Sequence, residues 1–99
     1  MIYNLDAWGK VHRVEIRKST YCTNGNLAIS LFELREGPYA TLTVNLDDTL
    51  PMDMGYVDTN NCYWAEEFIQ KNGLGEPTGE YGYSGFCSYP LYKFNLEKL

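Results

Sequence analysis

The chain has 99 residues, 44% of them hydrophobic, and it carries a formal net charge of −5. This length predicts a single domain with one core, residues 1–99. The acidic balance argues against independent nucleic-acid binding, and no apolar run reaches the roughly 18 residues of a membrane span. The first residues lack the basic start and apolar stretch of a signal peptide, so we expect a soluble, cytoplasmic protein.

The first two predicted strands form a hairpin around Gly9 and Lys10. In the second strand, Val14 and Ile16 alternate with charged residues. A period of two indicates a strand with one buried face and one wet face. We interpret His12, the one histidine of the chain, as a solvent-facing residue of this hairpin.

The next two predicted strands complete an antiparallel meander. Asn24–Gly25 predicts a type I′ turn, and it is followed by a strand over residues 27–36 with apolar residues on both faces, which is typical of a central strand. After a turn at residues 36–38, residues 39–46 alternate cleanly between apolar and polar side chains. We therefore expect residues 39–46 to form one continuous fourth strand.

A polar, proline-containing loop over residues 47–55 and a short extended segment precede the one predicted helix. This helix runs from about Cys62 to Asn72 and ends at Gly73, a natural left-handed stop. Its apolar side chains form one stripe: Trp64, Ala65, Phe68 and Ile69. The candidates for capping its first turn are Thr59, Asn60 and Asn61.

The last third of the chain is predicted as loop and then edge strand. Residues 73–85 are rich in glycine and indicate loops with unusual backbone angles. Residues 86–99 indicate an edge strand, because Pro90 cannot donate a ladder hydrogen bond. The predicted fold class is therefore α+β: a twisted antiparallel β-sheet of about five strands in a meander, with one α-helix packed on a face.

Cys62 is the first candidate for chemistry, because a helix N-terminus lowers the pKa of a thiol. A cysteine nucleophile also needs a base, and the only histidine is distant His12. We interpret Cys62 as a small side chain of the first helical turn. The sequence then indicates no catalytic residue and no enzyme activity, and three widely spaced cysteines indicate neither disulfides nor a metal site.

Three other features of the sequence resemble functional sites, and each also has a simpler interpretation. The "GLGEPTG" stretch at residues 73–79 follows a helix, whereas a phosphate-binding loop precedes one. The spacing of Asp47, Asp48, Asp53 and Asp58 does not match a calcium-binding loop, so we expect no metal and no cofactor. A nucleic-acid patch would consist of Arg13, Arg17, Lys18, Tyr3 and Tyr21. This patch has three cations, whereas segment 33–80 contains ten acidic residues. We therefore expect only indirect contact with nucleic acid.

The stretches "VDTNNC", "WAEEFI", "NGLGEPTG" and "YPLYKFNL" carry a resemblance that covers nearly the whole chain. They resemble a family of small proteins from bacterial plasmids, conjugative elements and phages that includes type II-A anti-CRISPR inhibitors. In that family one form blocks assembly of the effector nuclease with guide RNA, and a longer relative with an extra N-terminal hairpin promotes guide-RNA trimming. The chain begins at "MIYNLDAW" and so looks like the shorter form.

The resemblance implies an inhibitor that binds a type II RNA-guided effector nuclease and blocks guide-RNA loading. Such an effector holds RNA in a basic channel, and the acidic middle of this chain would attract a basic surface. The expected partner-binding residues are Asp47, Asp48, Asp53, Glu66, Glu67, Glu76 and Glu80. One alternative is an RNA-directed nuclease, or nuclease cofactor, that shortens guide RNA. Another is a mobile-element module that binds a different protein, and the sequence indicates no particular oligomeric state.

Overall fold

The computed structural model describes residues 2–99 and confirms the predicted meander at the start of the chain. Four antiparallel strands form a first sheet in the order β1-β2-β3-β4. Their bounds are β1 Ile2–Ala7, β2 Lys10–Thr20, β3 Leu27–Glu33 and β4 Gly37–Thr41. Val14 and Ile16 are buried on one face of β2, as the period of two predicts. The broad α+β class is also confirmed.

The tight turn of the first hairpin lies at Trp8–Gly9, between the paired residues Ala7 and Lys10. Both turn residues have positive φ, 55° and 73°, as a type I′ turn requires. The type I′ prediction for Asn24–Gly25 is wrong, since only Gly25 is left-handed there. The Asn24 side chain accepts from the Asn26 N–H and donates to Asn45 and Leu46, so it serves a longer loop between β2 and β3.

The prediction of one sheet of about five strands is wrong, because the chain forms two sheets of four strands. The second sheet has the order β5-β6-β8-β7. Its strands are β5 Thr43–Val44, β6 Met54–Val57, β7 Gly75–Ser84 and β8 Cys87–Phe94. The predicted continuous strand over residues 39–46 is divided at Leu42, which is completely buried. Leu42 donates to Ile29 of β3 and accepts from the N–H of Asp58, just after β6, and so links the two sheets.

Strand β7 replaces the predicted glycine-rich loop. Its pairing with β8 is irregular between Pro77 and Tyr81, where Gly79 has φ 90°. Gly82 is needed for close packing, because a Cβ there would lie 2.5 Å from Leu46 Cδ1 and 2.6 Å from Tyr56 Cε1. Glycine inside a strand often marks such a close approach.

Strand β8 is central and not an edge strand, so that prediction is also wrong. It lies between β6 and β7. Pro90 is tolerated because the pairing with β6 reaches only from Lys93 to Leu91, and on the other side Pro90 faces Tyr81 at the irregularity of β7. A missing N–H at this position therefore interrupts little of the ladder.

The helix is shorter than predicted. Helix α1 spans Ala65–Lys71, and its N-cap is Trp64, with no capping side chain. None of the three predicted capping residues acts, because residues 58–64 form turns in which Asp58 accepts from the Asn61 N–H. The C-terminal prediction is confirmed: Gly73 has φ 65°, and Leu74 folds back to donate to Ile69. A short 3-10 helix follows β8 at Leu96–Lys98.

Both sheets and the helix contribute to the main core. The predicted helical stripe is buried in it, together with strand residues such as Leu5, Ile29, Leu31, Val57 and Tyr92. A smaller cluster of Tyr56, Tyr89 and Leu91 lies on the other side of the second sheet, under the loop before β6. We call this side the outer face. No helix within residues 2–99 is long and apolar enough to cross a membrane.

Candidate functional site

The seven predicted partner-binding carboxylates are placed on both sides of the second sheet. Along β8, Leu91 and Lys93 point to the outer face, whereas Tyr92 and Phe94 point into the main core. Four of the seven residues belong to the outer side, and we call them the acidic face. They are Asp47, Asp48, Glu76 and Glu80. Asp53 lies in the turn before β6, next to Phe94. Glu66 and Glu67 lie on helix α1, on the side of the main core.

The loop that carries Asp47 and Asp48 is held by a buried asparagine that the sequence did not single out. The side chain of Asn26, 4% exposed, donates to the carbonyl oxygen of Asp48 at 2.8 Å and accepts from the N–H of Leu50 at 2.9 Å. No signal in the sequence identifies it, because an asparagine after Asn24–Gly25 looks like an ordinary turn residue until its burial is known. Asp47 remains exposed at the tip of this loop.

Tyr56 brings the Asp48 loop and strand β7 together. Its hydroxyl donates to the carboxylate of Asp48 at 2.6 Å. This hydrogen bond, burial, and the charges of Asp48 and Glu80 raise the pKa of Tyr56 to about 12. The phenol therefore stays protonated at neutral pH and remains a donor. Gly82 of β7 packs against the ring of Tyr56, so the part of β7 that follows Glu80 lies against the residue that holds Asp48.

The remaining carboxylate of the acidic face, Glu76, lies beside a lysine. Met54 and Glu76 both pair with Lys93 of β8, so the three side chains form a row across the outer face. Asp53 precedes Met54, and its carbonyl oxygen accepts from Phe94 at 2.7 Å. Lys93 offsets part of the negative charge, because an opposite charge directly across a ladder is attractive. The acidic face therefore carries four carboxylates, with Lys93 placed beside Glu76.

The two helical carboxylates have different environments. Glu66 is half-buried and accepts from the hydroxyl of Tyr92 at 2.7 Å, while Gln70 donates to the same hydroxyl at 2.8 Å. Burial and the bond to Glu66 raise the pKa of Tyr92 to about 12. Glu67 is exposed, near the Lys71–Asp6 pair, whose nearest atoms are 3.7 Å apart. Glu66 is therefore structural, and Glu67 is free to meet a partner.

Cys62 is buried and its thiol is not activated. It is 4% exposed, and its Sγ lies 3.7 Å from the carbonyl oxygen of Thr41. Burial, and then the charge of Asp58, raise the pKa of Cys62 to about 11. At neutral pH the thiolate fraction is therefore very small, and a helix of seven residues that begins three positions later does not reverse this.

The interpretation of His12 as solvent-facing is wrong. It is 8% exposed, because its position on β2 shares the buried face with Val14 and Ile16. Its Nδ1 lies 2.6 Å from Glu33 Oε2, and its ring packs on Tyr39 with centroids 4.6 Å apart. His12 and Cys62 line the same surface cleft. Among residues 2–99, however, the thiol of Cys62 bonds to Thr41 and Nδ1 of His12 bonds to Glu33, so the two do not form a hydrogen-bonded pair.

The other candidate sites from the sequence are not assembled within residues 2–99, because their residues lie apart or already form other contacts. Arg17 lies over the ring of Phe32, and Lys18 donates to Leu96. Tyr3 packs edge to face on Phe68 and donates to Lys98, and Tyr21 donates to Thr43, so both hydroxyls are already engaged. Across these described residues, no three His, Cys, Asp or Glu side chains form a group that could hold a metal ion.

Comparisons with known proteins give one finding. Residues 15–99 match a family model described as a domain of unknown function, DUF4313. Neither the curated proteins nor the solved structures contain a match.

Proposed function

The chain belongs to the DUF4313 family, and from this premise we propose that it is an inhibitor from a bacterial mobile element that acts in the host cytoplasm. It binds the guide-free form of a type II RNA-guided effector nuclease and blocks guide-RNA loading. The proposal rests on the resemblance of four sequence segments to an anti-CRISPR family and on the acidic face. The protein acts by occupying a site and has no catalytic step of its own.

The observation that carries this proposal is the concentration of carboxylates on one side of the second sheet. Asp47 and Glu80 are exposed there, Asp48 bonds to Tyr56, and Lys93 beside Glu76 offsets part of their charge. An effector nuclease holds the RNA backbone in a positively charged channel. Carboxylates held on a rigid sheet would meet those cations where RNA phosphates otherwise lie, and the two ligands would exclude each other.

A competition experiment tests the proposal. Labelled guide RNA is added to a guide-free effector nuclease that has been incubated with the purified protein, and the RNA–effector complex is measured by native electrophoresis. We expect less complex as the protein concentration rises, and full-length RNA on a denaturing gel. Shortened RNA would instead favour the nuclease alternative. Failure of the protein to bind the effector at all would favour a module for another partner.

A charge-reversal pair with a matched control identifies the working surface. Asp47→Lys combined with Glu80→Lys reverses two exposed charges on the acidic face, and we expect it to weaken binding to the effector by at least about tenfold. Glu36→Lys combined with Glu97→Lys makes the same change in net charge at exposed positions outside this face. Equal losses in the two double variants would show that net charge alone matters and that the acidic face has no special part.

A further inference from the structure

A surface cleft, separate from the acidic face, lies where the first hairpin meets the segment before helix α1. Its volume is about 400 Å³, and aromatic rings and a few polar groups line it. Its lining residues include Trp8, Lys10, His12, Tyr39, Asn61 and Trp64. This volume is within the range of small-ligand sites, which combine apolar walls with a few placed polar groups.

Trp8 is the unusual residue of this cleft. Its φ is 55°, in a type I′ turn. Asparagine and glycine adopt this backbone conformation readily, whereas a bulky residue is strained in it. Its indole is nevertheless 72% exposed. The turn is held by a hydrogen bond of 2.8 Å from the Trp8 N–H to the Tyr63 hydroxyl, and the two rings meet edge to face with centroids 4.8 Å apart. A strained position thus holds a large aromatic surface open to solvent.

The floor of the cleft is also aromatic. Tyr39 packs on His12 on one side and lies 6.0 Å, centroid to centroid, from Trp64 on the other. Because the carboxylate of Glu33 lies 2.6 Å from Nδ1 of His12, Nε2 is the ring nitrogen left for a hydrogen bond to a ligand. Lys10 forms no ion pair within residues 2–99, so its ammonium is free at the rim. Of the nearby carboxylates, Glu33 is engaged by His12 and Asp58 by Asn61. Asp6 and Glu67 line an adjoining depression with Lys10, and Asp6 pairs there with Lys71.

We propose that this cleft binds an unpaired nucleotide, with the base stacked on the indole of Trp8 and the phosphate near the ammonium of Lys10. Each of the four bases has a π-face and polar groups on its edge that Nε2 of His12 can hydrogen-bond. The site is separate from the acidic face and does not depend on the proposed inhibition. Both a free nucleotide and a nucleotide within a single strand have this chemistry, and a base inside a duplex does not.

Intrinsic fluorescence provides a direct test, because Trp8 and Trp64 are the two tryptophans of the chain and both line the cleft. The intact protein is titrated with the four nucleoside 5′-monophosphates, with ribose 5-phosphate, and with a short RNA as single strand and as duplex. We expect saturable quenching by the nucleotides and by the single strand only. Equal affinity of monophosphate and single strand would identify the free nucleotide as the ligand, and at least tenfold tighter binding of the strand would identify the strand.

Two variants and a control make the assignment specific. Trp8→Asn creates Asn-Gly, the preferred type I′ pair, so we expect it to keep the melting temperature while weakening nucleotide binding, measured by calorimetry, at least about tenfold. Lys10→Gln should weaken nucleotide binding several-fold. Arg13→Gln, the same charge change on the opposite face of β2, should leave it within twofold. The proposal is overturned by no saturation at millimolar nucleotide, by equal binding of duplex, or by a folded Trp8→Asn variant that binds normally.

Discussion

The hydroxyl of Tyr92, a completely buried residue of the central strand β8, donates to the carboxylate of Glu66 on helix α1 at 2.7 Å. This bond joins the helix to the second sheet. It also separates two adjacent glutamates that look equivalent in sequence, because Glu67 has no such partner among residues 2–99 and lies exposed.

Glu66→Ala should therefore destabilise the protein more than Glu67→Ala. Both changes remove one acidic residue from the first turn of the same helix, so their effects on helix propensity and on the helix dipole are similar. The difference isolates the bond to Tyr92, and we expect about 1–2 kcal/mol from urea unfolding. Equal free energies of unfolding for the two variants would show that this bond does not stabilise the fold.

The bond between Tyr56 and Asp48 predicts a loss of stability in alkali. The pKa of Tyr56 is about 12 in the folded protein and ordinarily about 10, so its contribution is complete below pH 10 and is lost as the pH rises toward 12. The free energy of unfolding, measured across this pH range, should fall less steeply for Tyr56→Phe than for the parent. If the stabilities of the two proteins fell in parallel with pH, the pKa of Tyr56 would be the same in the folded and unfolded states.

Gly82→Ala should destabilise the protein by about 1–3 kcal/mol, as overpacking does in a filled core. The new methyl group would lie 2.6 Å from the ring of Tyr56, whose hydroxyl is anchored on Asp48. Ser84→Ala, at an exposed site on the same strand, serves as the control. Thermal unfolding of both variants measures the difference, and a Gly82→Ala protein as stable as the parent would show that Leu46 and Tyr56 move aside freely.

The cysteines should differ in reactivity. Cys22 is exposed, whereas Cys62 is buried with its pKa raised to about 11. At pH 8 only about one thiol in a thousand would be ionised at Cys62 even if reagent reached it. Mass spectrometry after brief treatment with iodoacetamide should find Cys22 modified and Cys62 intact until the protein is unfolded. Modification of native Cys62 at the rate of Cys22 would reopen the question of a reactive thiol.

Binding through the acidic face predicts a dependence on salt. Screening reduces the Debye length from about 10 Å at 0.1 M to about 3 Å at 1 M, so association with a basic channel should slow as salt rises. Stopped-flow or surface-based kinetics would measure the association rate of the parent and of the Asp47→Lys, Glu80→Lys protein. The salt dependence should be smaller in that variant. An identical dependence in both proteins would place the charged contact elsewhere.

The sequence by itself determined the features that depend on local periodicity. The alternation of Val14 and Ile16 and the helical stripe around Phe68 each follow from the repeat of a single element, since side chains on one face must be buried together. The left-handed stop at Gly73 is equally local, because it depends on one residue's freedom at positive φ. For the turns of the first meander, the sequence determined the approximate positions but not the types, since Asn24–Gly25 is not the predicted type I′ turn.

Only the tertiary structure decided how these elements combine. Leu42 divides one alternating run between two sheets, because its hydrogen bonds go to Ile29 and to Asp58, partners far along the chain. His12 and Trp8 line a cleft because a loop some 50 residues later packs against their hairpin. The seven carboxylates were distributed over two sides of a sheet for the same reason. Local pattern specifies which face of an element is buried, but the choice of partner depends on long-range packing and hydrogen bonds, which periodicity does not encode.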